Sequence, residues 1–197
     1  MPIHLPEPPS EAAAAVADRL QTVASSETPN RAALGGSDAT QLQATDGHRV
    51  FNLGLHDLLN VPDPLEAARP VGWRYLLGDG ADTSAAALTT LTPEGEHKFA
   101  SFNSGPYVGG TVEALAASRE MPEVADDDLE VRLLTVPGLG LTALWLHGDT
   151  RDLLVPIAPA PDGVETGHQH DARELLTSLT DQARQRVEIG RDDERGS

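Results

Sequence analysis

Apolar and polar positions along the chain alternate in three different ways, and each way predicts a different kind of element. After a Pro-rich lead, Pro2 to Pro9, the residues Ala13, Val16, Ala17, Leu20, Val23 and Ala24 recur at helical spacing, with Ser10 placed as an N-cap. Most of that face is alanine, so this helix is expected to pack weakly, or against a close partner. Residues 25–47 have no periodicity and are rich in Ser, Thr, Gly and Asp, the composition of a linker.

From His48 onward the period shortens to that of strands. His48 to Leu53 predicts a strand, Leu55 to Asn60 a helical turn, and Asp63-Pro64 the start of a short helix through Arg69. Trp73 to Leu77, Ser84 to Leu91 and Lys98 to Asn103 predict three strands, separated by turns at Gly78-Asp79-Gly80 and Pro93-Glu94-Gly95. A helix from Pro106 to Arg119 follows, capped by Ser104 and apolar along Val108, Thr111, Val112, Leu115 and Ala116. The order then recurs. Strands are predicted over Glu130–Val136, Leu141–His147 and Asp152–Ala158, and a helix over residues 171–187 opens on the capping pair Asp171 and Glu174. The two halves are either a duplicated βββα unit or two meanders built by the same turn rules.

The fold class that results is α+β, with mostly antiparallel sheet in β-meanders and two or three packed helices. All seven aromatic residues lie between Phe51 and Trp145, which places the core in the middle of the chain. The expected organisation is an N-terminal helix and flexible linker over 1–47, one α+β core domain over 48–187, and a disordered charged tail over 188–197.

Charge narrows the function. The chain carries 31 acidic against 14 basic residues, a formal net charge of −17, which argues against sequence-independent binding of nucleic acid. The excess is spread along the chain rather than held in one docking tail, so it reads as general solvation. Lys98 is the single lysine, and with abundant Ala, Gly and Pro this usage points to GC-rich prokaryotic coding. Cysteine is absent, which removes disulfides, zinc–thiolate sites and thiol catalysis together. No stretch has the ~20 apolar residues of a membrane span, and Met1 to Ser10 has no signal-peptide pattern, so a cytoplasmic protein without membrane insertion is expected.

Local chemistry is sparse. His168 and His170, two apart on an extended segment, could turn their imidazoles to one side with Asp171 as an oxygen ligand, but Asp171 is also wanted as a helix cap. His147 ends a strand beside Gly148-Asp149, where a general base and an ordinary hairpin turn compete. The run Asp126-Asp127-Asp128 lacks the alternation and central glycine of a calcium loop. Asn103, Ser104, Gly109 and Gly110 surround a strand-to-helix junction. There the first helical amides can receive an anionic or carbonyl-bearing ligand, or the glycines simply let the helix sit close to the sheet.

No cofactor is implied. The expected function is that of a non-catalytic accessory or protein-interaction domain that buries apolar surface against a partner or its own copy. Two alternatives stand beside it. One is a hydrolase-like enzyme whose site is assembled from distant histidines and carboxylates; the other is a small-molecule carrier with a pocket near residues 102–110.

Overall fold

Several strands of this chain carry apolar side chains on both of their faces, and a sheet of such strands needs cover on both sides. The computed structural model describes residues 3–26, 31–120 and 128–195. Among these residues it contains strands β1 (Ile3–His4), β2 (Gln43–Asn52), β3 (Arg69–Gly78), β4 (Thr83–Leu91) and β5 (His97–Ser104). The second half adds β6 (Leu129–Val136), β7 (Leu141–His147), β8 (Asp152–Pro156) and β9 (His170–Asp171). The helices are α1 (Ser10–Ala24), α2 (Leu55–Asn60), α3 (Pro106–Glu120), α4 (Ala172–Ser178) and α5 (Thr180–Arg195). The fold is α+β, with a mostly antiparallel sheet, as the pattern of the chain predicts.

The strands form one sheet in the order β5-β4-β3-β2-β6-β7-β8-β9, with β1 beside the start of β6. Only β2 and β1 run parallel to their neighbour β6; every other pair is antiparallel. Alternation along the strands sorts the core into two faces. On one face α3 lies over Val50, Leu76, Ala86, Leu133, Leu144 and Val155. On the other, α1 covers Trp73, Tyr75, Leu77, Ala85 and Ala87, while α2, α4 and α5 cover Phe51, Leu134, Ala143 and Trp145. Both expected meanders are present, and the helices that follow them lie on opposite faces.

Expectations for three segments change. The segment read as a linker places Leu34, Ala39 and Leu42 in the core beneath α1, and β2 already begins at Gln43. These apolar positions are tied down by irregular backbone, so no period betrays them. Helix α1 does not pack weakly: Ala12, Val16 and Leu20 are buried against its own sheet, where the alanines of β4 leave room for close approach. Its N-cap is Pro9 rather than Ser10. The final helix is broken at Leu179, where the Ser178 and Thr180 hydroxyls donate to the carbonyls of Leu175 and Thr177. It then continues to Arg195, into the stretch expected to be a disordered tail. Among the described residues no helix is long and apolar enough to cross a membrane.

Under α3 the core holds two polar side chains. Arg74 of β3 is 3% exposed and donates to Thr111 Oγ1 at 2.6 Å and to the Tyr107 carbonyl at 3.2 Å, tying the sheet to the first turns of α3. Burial lowers its pKa to about 10, so it remains charged at neutral pH. His48 of β2 is fully buried; its Nδ1 donates to the Asp46 carbonyl at 2.8 Å and its Nε2 has no partner. Asp46 sits in a β-bulge at φ 43°, and its carboxylate receives Arg119 from the end of α3 at 3.1 Å. Burial first, and Arg74 second, lower the His48 pKa to about 4.

An unfolded histidine titrates near pH 6.5, so between pH 6.5 and 4 the unfolded chain takes up a proton that the folded chain refuses. Stability is therefore lost as pH falls through that window, by about 3 kcal/mol from this one residue. His48→Asn, which keeps a donor for the Asp46 carbonyl, should be less acid-sensitive than the parent. Urea unfolding of both proteins at pH 7 and pH 4.5 measures it, and equal losses in the two would overturn the assignment.

Candidate functional site

The register of the sheet brings together polar residues that are far apart in the chain. Arg49 pairs with Trp73 on one side and with Arg132 on the other, and Arg132 pairs in turn with Trp145. These four residues form one row across β3, β2, β6 and β7, on the face that carries α1 and α4. The next row, two residues along each strand, is Glu130, His147 and Asp152 on β6, β7 and β8. At the head of this second row Tyr75 faces the bulge at Asp46-Gly47, and its buried hydroxyl has no partner. Burial pushes the Tyr75 hydroxyl pKa up to about 12, so it remains a neutral donor.

Aromatic rings make the floor of the site. The guanidinium of Arg132 lies 4.8 Å from the Trp145 ring centroid and 5.1 Å from that of Phe51, and Arg49 lies 5.5 Å from that of Trp73. Phe51 and Trp145 meet edge to face at 5.1 Å. Stacking holds a guanidinium flat while leaving the N–H groups on its edge able to donate in the ring plane. The two arginines differ in what they donate to. Arg132 gives its Nε–H to Glu130 at 2.7 Å, whereas Arg49, half-buried, has no hydrogen-bond or ion-pair partner among the described residues.

Asp152 organises the other end. Its Oδ1 accepts from Trp145 Nε1 at 2.6 Å and from His147 Nδ1 at 2.8 Å. With the proton on Nδ1, the Nε2 of His147 is an acceptor, and the side chain is 36% exposed. Asp152 also lines a cavity of about 320 Å³ beside the row, with Asp63, Thr150, Arg151, Asp171 and Arg173 among its walls. Arg173 closes one rim by donating to Asp63 at 3.2 Å.

The residues singled out in the sequence have other occupations. Asp171 caps α4, accepting from the Glu174 amide at 3.0 Å. His170 donates from Nε2 to the Glu165 carbonyl at 3.0 Å, and His168 is exposed. Among the described residues no three metal-ligating side chains come together. At the strand-to-helix junction Ser104 donates to the Ala32 carbonyl at 3.1 Å instead of capping α3, and Asn103 is exposed on β5. A side chain on Gly110 would meet Ile157 Cγ2 at 2.7 Å, while one on Gly109 would meet nothing within 4 Å. Of the sequence candidates, only His147 belongs to the row site, and its partner is Asp152 rather than the neighbouring Asp149.

Sequence reasoning missed Arg49, Arg132 and Asp152. A signal was present, because Glu130 and Arg132 occupy alternate positions of a strand that is otherwise apolar, Leu129–Val136. Charges at period two inside such a strand mark a face that is not wholly buried.

The two glycines of α3 should part company on substitution. Gly109→Ala is expected to stabilise the protein by up to about 1 kcal/mol, since it relieves the backbone entropy cost in an open helix position. Gly110→Ala should destabilise it by about 1–3 kcal/mol through the collision with Ile157. Thermal melts read both, and equal shifts would refute the packing role assigned to Gly110. No protein-family model, no curated protein and no solved structure matches the chain.

Proposed function

We propose that this chain is a non-catalytic accessory domain of the cytoplasm that binds a protein partner, and that its working surface is the row of Arg49 and Arg132 on the open part of the sheet face. The observation that carries the reading is Arg49. In a chain with 31 acidic residues, an arginine is easily supplied with a carboxylate, yet this half-buried guanidinium has none among the described residues. Withdrawing a cation from water without a counter-charge costs free energy, and a group arriving from outside recovers it.

Apolar contact area, the mechanism expected from the sequence, has less to act through. Among the described residues the large hydrophobic side chains exposed by more than a third are Val71, Tyr107 and Ile189, each on a different element. The apolar side of α1 is used internally. Recognition is therefore assigned to charge set on an aromatic floor rather than to bulk hydrophobic burial.

A second reading has one observation in its favour. Asp152 fixes the tautomer of His147 so that Nε2 can accept a proton, the arrangement of a general base. In that case His147→Gln would abolish a hydrolytic activity that Arg49→Gln only weakens in KM.

The binding reading is tested by retrieval from an extract of the source cells. Tagged wild-type protein should bring down a defined partner, or a second copy of itself detected by light scattering. Arg49→Glu should lose it, and Arg119→Glu, on the α3 side, should keep it. An identical set of proteins with Arg49→Glu, at unchanged circular dichroism, overturns the proposal.

A further inference from the structure

Strand β5 ends the sheet on one side, and no strand lies beyond it. Among the described residues no backbone hydrogen bond outside the β4 ladder reaches it. At the other end of the sheet β8 is backed by β9, a two-residue strand that runs straight into α4. Of the two ends, only β5 offers a long edge, eight residues from His97 to Ser104. Such edges are commonly guarded by charge or proline. This one contains no proline and no carboxylate, on a chain whose net charge is −17, and its lysine, Lys98, is paired with Glu96 at 3.1 Å.

A bulge gives this edge a symmetry that a regular strand of even length lacks. Leu88 of β4 pairs with Ser101 and Thr89 with Phe99, so Ala100 is the extra residue. Phe99 and Phe102, three apart in the chain, are thereby brought to the same face, the one that carries α1. Both rings are half-buried there, with centroids 4.6 Å apart. Register with β4 puts His97 and Ser104 on that face as well, and Lys98 and Asn103 on the opposite one. The order of faces therefore reads the same from either end of the strand.

An antiparallel neighbour must set residues of the same face opposite each other, and a second copy of β5 does so over its full length. Phe99 of one copy then lies opposite Phe102 of the other, Lys98 opposite Asn103, and Ala100 opposite Ser101. Each half-buried ring gains a ring across the seam, the two lysines stay at opposite ends, and no carboxylate meets another.

We propose that β5 is a self-association edge, through which two copies of this chain pair antiparallel about a two-fold axis between Ala100 and Ser101. The surface is separate from the Arg49 row and goes beyond the reading of that row. The contact is isologous and consumes the long terminal edge of each copy, so association stops at a dimer. One strand pair and four rings make a small interface, which places the dissociation constant at about 10 μM to 1 mM.

Light scattering on the full chain across that concentration range should show a reversible monomer–dimer equilibrium with no larger species. Ser101→Glu, at an exposed position beside the axis, should weaken the dimer at least about tenfold with unchanged circular dichroism. Gln43→Glu, the same charge change at the exposed start of β2, should not. The chain has no cysteine, so disulfide trapping reads the register. A mixture of Lys98→Cys and Asn103→Cys proteins should form the mixed disulfide under mild oxidation. Lys98→Cys alone should not, because its two copies lie about 17 Å apart along the seam. A protein that remains monomeric at the highest concentration overturns the proposal. So does a dimer indifferent to Ser101→Glu, or Lys98→Cys alone cross-linking as readily as the mixture. Arg49→Glu should leave this dimer intact. A dimer lost with Arg49→Glu and kept with Ser101→Glu refutes the β5 edge and leaves the row reading standing.

Discussion

Four register pairs hold the molecule together. From Arg49 with Arg132 to Asn52 with Thr135, β2 and β6 run parallel, and this seam joins the meander β3–β4–β5 to the meander β6–β7–β8. The seam is reinforced where it ends. The Leu53 amide donates to the Thr135 carbonyl at 2.9 Å, and the Thr135 hydroxyl donates to the Phe51 carbonyl at 3.0 Å. Each meander alone has a free edge and an apolar face on both sides, a combination that does not persist in water. Joined, they share α3 across one face and divide the other between α1 and the group α2, α4 and α5. The same seam sets two arginines side by side, so the feature that completes the core also creates the candidate site.

Local pattern was enough to place most of the elements. The three strands of each meander and helix α3 lie within a few residues of where alternation and turn residues put them, because each buries its own apolar stripe and is ended by its own Gly or Pro. What the pattern could not reveal was long-range. Leu34, Ala39 and Leu42 belong to the core through irregular backbone, and the start of β2 is polar and exposed at Gln43 to Thr45, so neither carries a period. The site was illegible for the same reason. Arg49 and Arg132 are 83 positions apart in the chain, and only a parallel register makes them neighbours. His147 and Asp152 were separately visible as the ends of two strands, yet their pairing depends on the hairpin between them closing in one register.

The polar groups of the two faces have different roles. Under α3, Arg74 and His48 are closed off, and their hydrogen bonds go to the Thr111 hydroxyl and to the carbonyls of Tyr107 and Asp46. They position a helix and a bulge. On the opposite face Arg49, Arg132, His147 and Asp152 remain partly open to solvent. Buried polar groups left incomplete are costly, so a fold with such groups on both faces keeps the closed set for architecture and leaves the open set able to exchange partners.

Strand β4 has a further consequence for the thickness of the molecule. Ala85, Ala86 and Ala87 are all fully buried, the first and third beneath α1 and the middle one beneath α3. Only methyl groups space the two helical layers from this strand over those three positions. Each alanine acts as a shim for one layer alone. A larger residue at Ala86 lifts α3 without touching α1, and one at Ala85 or Ala87 does the reverse. The separation of either helix from the sheet can thus be adjusted independently, through neighbouring positions of a single strand.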